Sequence, residues 1–179
     1  MRVFLGSLIL SLSLVFFSCV TRVEQQLPLP ESAETVLAGL SNKKITVAEV
    51  GLQNKNASPG DISWINSAEE KDSTNLQLHS EILKWSVSFD SLYTATLQSG
   101  ISEEKGYWRI ENASQSQSRD SIFLLLTVLK EDRLSPQGEK IRISLPYQIL
   151  GFTEKELWLV LPRRVKEQAV VTRMNIVNK

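Results

Sequence analysis

From Ile141 to Ile149 the chain changes character at every step, with Ile141, Ile143, Leu145, Tyr147 and Ile149 alternating with Arg142, Ser144, Pro146 and Gln148. Successive side chains of a strand point to opposite faces, so this run reads as a strand with one face on a core and the other in water. A slip of one residue would exchange the two faces, which fixes its register against its neighbours. Pro146 has no N–H to give a ladder and predicts an edge or a bulge at that point. Upstream, Ile122 to Leu129 is nearly all apolar, the pattern of a strand buried on both faces at the middle of a sheet. Ser135-Pro136-Gln137-Gly138 lies between them with Ser, Pro and Gly at the positions a type I turn prefers, so the two strands are expected to pair antiparallel.

Three further segments extend this sheet. Tyr107 to Asn112 alternates Trp108 and Ile110 against Arg109 and Glu111, and the polar stretch Ala113 to Asp120 follows it as a loop. Leu157 to Leu161 reads as a short apolar strand stopped by Pro162, Arg163 to Glu167 as a charged connection, and Ala169 to Val177 as a last strand. The N-terminal half is more mixed. Glu31 to Leu40 carries Ala33, Val36, Leu37 and Leu40 at helical spacing. Lys44 to Leu52 reads as a strand with apolar residues in two phases, either covered on both faces or bulged near Val47. Asn54 to Asp61 is a Pro-Gly loop with Trp64 just beyond it. From Leu78, the residues Ile82, Trp85, Phe89 and Leu92 recur at intervals of four and three, which predicts an amphipathic helix over 74–98. The expected fold is therefore α+β: a mainly antiparallel sheet of about five strands in the C-terminal half with one or two helices packed on it. Leu83, Trp85, Val87 and Phe89 also alternate, and if that segment is a hairpin instead the alternative is a β-sandwich.

The N-terminus constrains location more than fold. Arg2 precedes an uncharged, largely apolar run from Val3 to Phe17, and Ser18 stands directly before Cys19, the single cysteine of the chain. The run has the layout of a signal peptide. Phe16 and Phe17 crowd the positions where an ordinary signal peptidase needs small residues. The segment resembles the signals of bacterial lipoproteins, and most closely the relaxed lipoboxes of spirochaete lipoproteins. That resemblance implies cleavage before Cys19, lipid on its sulfur and a further acyl chain on its amine. An uncleaved signal anchor is the competing reading, because Val3 to Val20 just reaches the roughly 18 apolar residues that can span a bilayer. The implied organisation is a signal peptide over 1–18, a lipidated cysteine and Pro-containing tether over 19–30, and one globular domain over 31–179. The residues after Cys19 lack the Asp that retains lipoproteins on the inner membrane of enteric bacteria, so an outer-membrane address in the cell envelope is expected over an inner one. LAGLSNKKITVAEV, ending at Val50, is also similar to the start of flagellar- and curli-assembly lipoproteins, although Gln53 to Lys71 lacks the helix those families place next.

Little in the remainder points to chemistry. Twenty basic and 20 acidic residues leave no net charge, and so no basic field for nucleic acid. The glycines never approach a phosphate-binding pattern, so no nucleotide is expected. His79 is the only histidine, and with one cysteine no Cys/His metal cluster can be assembled. Ser41 to Lys44 and Ser102 to Lys105 have S-x-x-K spacing but lack the companion elements of penicillin-recognising enzymes. Glu69-Glu70 and Glu103-Glu104 are adjacent pairs, which do not face each other across a cleft.

No catalytic residue and no cofactor is assigned. The expectation is a membrane-anchored envelope lipoprotein with a non-enzymatic binding or structural role, held to the membrane through lipid on Cys19 and meeting an envelope or surface protein. Trp64 and the basic residues Arg163, Arg164 and Lys166 are the candidate interaction residues, since Trp and Arg concentrate binding energy at interfaces. The alternatives are a cryptic serine hydrolase using His79, and an assembly-type lipoprotein of a cell-envelope machine.

Overall fold

The computed structural model describes residues 26–91, 93–113, 121–131 and 140–179. The signal segment with Cys19, Leu92, the loop after Ala113 and the turn at Ser135 to Gly138 lie outside the described residues. In chain order the elements are α1 (Ala33–Leu40), β1 (Lys43–Gln53), β2 (Ser63–Trp64), α2 (Ser73–Ile82), β3 (Trp85–Phe89), β4 (Thr94–Ser99), β5 (Ser102–Ala113), β6 (Ser121–Glu131), β7 (Lys140–Phe152), β8 (Glu156–Val165) and β9 (Gln168–Asn178).

From β3 to β9 each strand pairs antiparallel with the next, and β9 returns to pair with β1, from Lys43↔Asn178 to Gln53↔Ala169. β1 also pairs with β3, so eight strands close on themselves as a barrel. The two-residue β2 lies beside β1 outside that ring. This overturns the expected α+β fold of about five strands, and the β-sandwich alternative with it. Alternation within a segment reports which face is buried, but it does not say that the first strand meets the last.

Three local expectations fail for identifiable reasons. The helix expected over 74–98 ends at Ile82, and Trp85–Phe89 and Thr94–Ser99 form a hairpin instead. Val87 and Phe89 are fully buried while Ser88 between them is only half-buried, so the period of two prevails over the spacing of four and three. β6 is not buried on both faces: Ile122, Leu124, Leu126 and Val128 point inward, whereas Phe123, Leu125 and Thr127 are half-buried on the outer wall and Leu129 is exposed. Nor does Pro162 stop β8, which runs on through Arg163 and Arg164 because the β8–β9 ladder is irregular between Val160 and Arg164.

The inward residues form one core, with Phe89, Trp108, Leu124, Leu126, Leu157, Leu159 and Met174 at its centre. α1 closes one end of the barrel. Ser32 caps it by accepting a hydrogen bond from the Thr35 N–H, its Val36 and Leu40 are fully buried in the barrel core, and Gly39 gives room for the ring of Phe152. In β1 a bulge between Val47 and Glu49 shifts the phase, so that Ile45 and Val50 both face inward and the two apolar phases of this segment are reconciled. α2 covers the opposite end, where Leu78 and Ile82 pack on Val50, Leu52, Ile65 and Val170.

A third cluster lies on the outer wall. Leu27 is buried there against Leu150, Trp158 and Val171, and the Phe152 N–H donates to the Pro28 carbonyl at 2.8 Å. The stretch read as tether is thus docked on the barrel from Leu27 onward.

Candidate functional site

The wall of the barrel is incomplete at the α2 end. β7 pairs with β6 from Lys140 to Gln148, but its ladder with β8 spans only Gln148↔Val160 to Phe152↔Leu157. On the β8 side, Leu161, Pro162 and Arg163 have no ladder partner before Arg164↔Ala169. A proline stands on each lip of this gap, Pro146 on β7 and Pro162 on β8. Neither has an N–H with which to continue the ladder, so the strands separate there.

The gap leads to a cleft of about 270 Å³ lined by Glu81, Ile82, Trp85, Ser99, Tyr147, Leu161, Pro162 and Arg163. Its inner wall is aromatic. Tyr147, pointing inward from β7, stacks on Trp85 of β3 with ring centroids 5.4 Å apart. Burial alone pushes the Tyr147 hydroxyl pKa up to about 12, and among the described residues that hydroxyl has no hydrogen-bond partner. It is therefore a proton donor at any ordinary pH, set in apolar surroundings. Ile143 and Leu145, which share its inward face, are only half-buried, and Ile141 is exposed. In a filled barrel such residues are covered. Here the lumen at this end is not filled by the described residues.

The rim is polar and ties α2 in place. Arg163 Nη1 donates to Glu81 Oε2 at 3.3 Å, and Lys166 Nζ pairs with the Asp72 carboxylate, which also accepts from the Thr74 N–H at 2.9 Å as the helix N-cap. Hydrogen bonding to Lys166, then to the Thr74 N–H, holds the Asp72 carboxyl below its ordinary range. Hydrogen bonding to Gln77, then to Arg163, does the same for Glu81.

Of the candidate interaction residues, Arg163 lies at the cleft rim against Glu81, near the C-terminal end of α2, whereas Lys166 pairs with Asp72 at the N-cap of that helix. Arg164 is exposed beside them. Trp64 is half-buried and stands over Gly51, where a Cβ would lie 2.9 Å from its ring, and it packs on the Leu27–Trp158 cluster. It is a packing residue of the outer wall. Cys19 lies outside the described residues. His79 is half-buried on α2, and among the described residues its side chain has no hydrogen-bond partner. The Ser41 hydroxyl donates to the Leu37 carbonyl at 2.9 Å, capping α1 rather than meeting Lys44. Ser102 and Lys105 both lie on β5, three residues apart and hence on opposite faces.

Trp85, Tyr147, Leu161 and Pro162 are the site residues that sequence reasoning passed over. The available signal was a tyrosine among aliphatic residues of a core-facing strand, since its hydroxyl needs a partner or an opening. Compared with known protein families, curated proteins and solved structures, the chain has no match.

Proposed function

We propose that this chain is a lipid-anchored protein of the cell envelope, held through Cys19 in the outer membrane rather than the inner, whose barrel binds an amphipathic small molecule without catalysing its conversion. The observation that carries the binding role is the slot between β7 and β8. Apolar side chains of Ile82, Trp85 and Leu161 line it, and a single buried donor, Tyr147, waits at its inner wall. Binding clefts for small molecules combine a mostly apolar lining with a few placed polar groups. A ligand that fits has a hydrocarbon or flat apolar body and one carbonyl or carboxylate oxygen for the Tyr147 hydroxyl. A carboxylate at the rim would also meet Arg163.

The test uses membranes carrying the full chain, treated with a fatty acid that bears a photoreactive diazirine on its tail. Crosslinks mapped by mass spectrometry are expected on the peptides containing Trp85, Tyr147 and Leu161. Tyr147→Phe should weaken labelling by roughly fivefold, the factor for about 1 kcal/mol of hydrogen bond. Leu161→Trp, which fills the slot, should abolish it. Labelling spread over the outer wall and insensitive to both substitutions would sink the proposal. The anchor is tested separately: Cys19→Ser should release the protein from the membrane fraction, and continued retention would favour an uncleaved signal anchor.

A further inference from the structure

The outer wall of β5, β6 and β7 carries a second surface, independent of the slot. Register places Tyr107, Thr127 and Ser144 in one cross-strand row, with Arg109, Leu125 and Pro146 in the row on one side and Leu129 beside Arg142 on the other. All point outward, because Trp108, Leu126 and Val128 between them are buried. Tyr107 is 53% exposed and stands between two clefts. The first, of about 400 Å³, is lined by Tyr107, Arg109, Thr127, Arg142 and Ser144. The second, of about 420 Å³, is bounded by Tyr107, Lys105, Leu129, Thr96 and Asp90.

The chemistry of the first cleft is specific. Its floor is a hydroxyl pair, Thr127 Oγ1 and Ser144 Oγ at 2.9 Å, which uses one hydrogen between two groups and leaves further donor and acceptor capacity on both. Guanidinium groups flank the floor on both sides. Arg142 forms no ion pair among the described residues, and Lys105 on the far side of Tyr107 forms none either. Arg109 pairs with Glu111 at 2.7 Å, but both side chains are largely exposed, and an exposed pair of this kind yields readily to a better anion. The acidic groups nearby are Glu111 and, in the second cleft, Asp90, whose carboxylate already accepts from the Thr94 N–H at 2.9 Å.

We propose that the cleft between Arg109 and Arg142 binds an acidic saccharide, a pyranose ring carrying a carboxylate or a sulfate. The ring's C–H face lies on Tyr107, its hydroxyls exchange hydrogen bonds with Thr127 and Ser144, and its anionic group takes Arg142 and Arg109, whose planar forks suit such groups. A lipid surface is the less suitable occupant. Tyr107 sits between concave clefts and the floor is hydroxylic, whereas a bilayer needs protruding apolar side chains.

Purified full-length protein in detergent micelles is titrated with a heparin-derived tetrasaccharide, a tetragalacturonate and, as the uncharged control, maltotetraose. One or both acidic probes should bind and the neutral one should not, and which of them binds separates sulfate from carboxylate recognition. Tyr107→Ala and Arg142→Gln should each lower the affinity about tenfold, the loss expected for a main contact, while Tyr107→Phe and Arg164→Gln leave it unchanged. All three positions are exposed, so matching melting temperatures will verify that the four variants are folded. Equal losses from Arg164→Gln and Arg142→Gln, with none from Tyr107→Ala, would show diffuse charge attraction and overturn the proposal. So would binding of phosphatidylglycerol vesicles with no binding of either acidic saccharide.

Discussion

Tyr147 shows how one residue can belong to the packing and to the site at once. Its ring continues the inward alternation of β7 and stacks on Trp85, while its hydroxyl has no hydrogen-bond partner among the described residues. The same burial has a consequence for stability. In the unfolded chain the hydroxyl ionises near its ordinary value of 10.0, and in the folded chain only at about 12. Its favourable contribution is therefore complete below pH 10 and is lost as the pH rises towards 12, because the unfolded state releases its proton first. Chemical denaturation across this range should show a decline in stability that is smaller in Tyr147→Phe by the part this group supplies. A decline of equal size in both proteins would mean that Tyr147 ionises freely.

Among the elements, α2 is held by surface chemistry as much as by packing. Only Leu78 and Ile82 are buried, while Glu70, Asp72 and Glu81 bind its ends. Glu70 accepts from the Asp72 N–H at 2.8 Å and from Asn75 at 3.0 Å, and its carboxyl too is held below the ordinary range, first by the Asp72 N–H and then by Asn75. For all three groups the folded pKa lies below the unfolded one. Their stabilisation is present above the ordinary carboxylate values of 3.8 and 4.5 and disappears as the pH falls through the lower, folded values. Hydrogen exchange should therefore show the amides of α2 opening below about pH 4 before those of β6, by local rather than global unfolding. Simultaneous loss of protection in both elements would contradict this. α2 is also where the sequence misleads most. Ile82, Trp85 and Phe89 satisfy a helical spacing by crossing from a real helix into a real strand, and the Ser- and Thr-rich composition of 86–99 carried the better signal. β7 was legible because its alternation is unbroken. The slot beside it was not, since Pro146 and Pro162 are 16 positions apart in sequence and only the register of β7 on β8 brings them to the same opening.

For the molecule as a whole, the defining contact is the pairing of the first barrel strand with the last. β1 and β9 pair along their full lengths, and nothing in either segment alone identifies the other as its neighbour. Closure removes the two exposed edges that a meander of this length would otherwise leave open to other chains. It also sets how the protein bears load. Lys43 and Asn178 are opposite one another at the same end of the barrel, so a pull between the chain leading into β1 and the C-terminus acts on adjacent strand ends. Once α1 has been drawn away from its end of the barrel, the hydrogen bonds of that ladder face the force one after another, like the teeth of a zip. Handles at Lys43 and Gln168 would instead grip the ladder at opposite ends and load its rungs together in shear. Single-molecule stretching should find the first geometry yielding at the lower force, which makes the closing seam the place where the barrel gives way when it is pulled from that end.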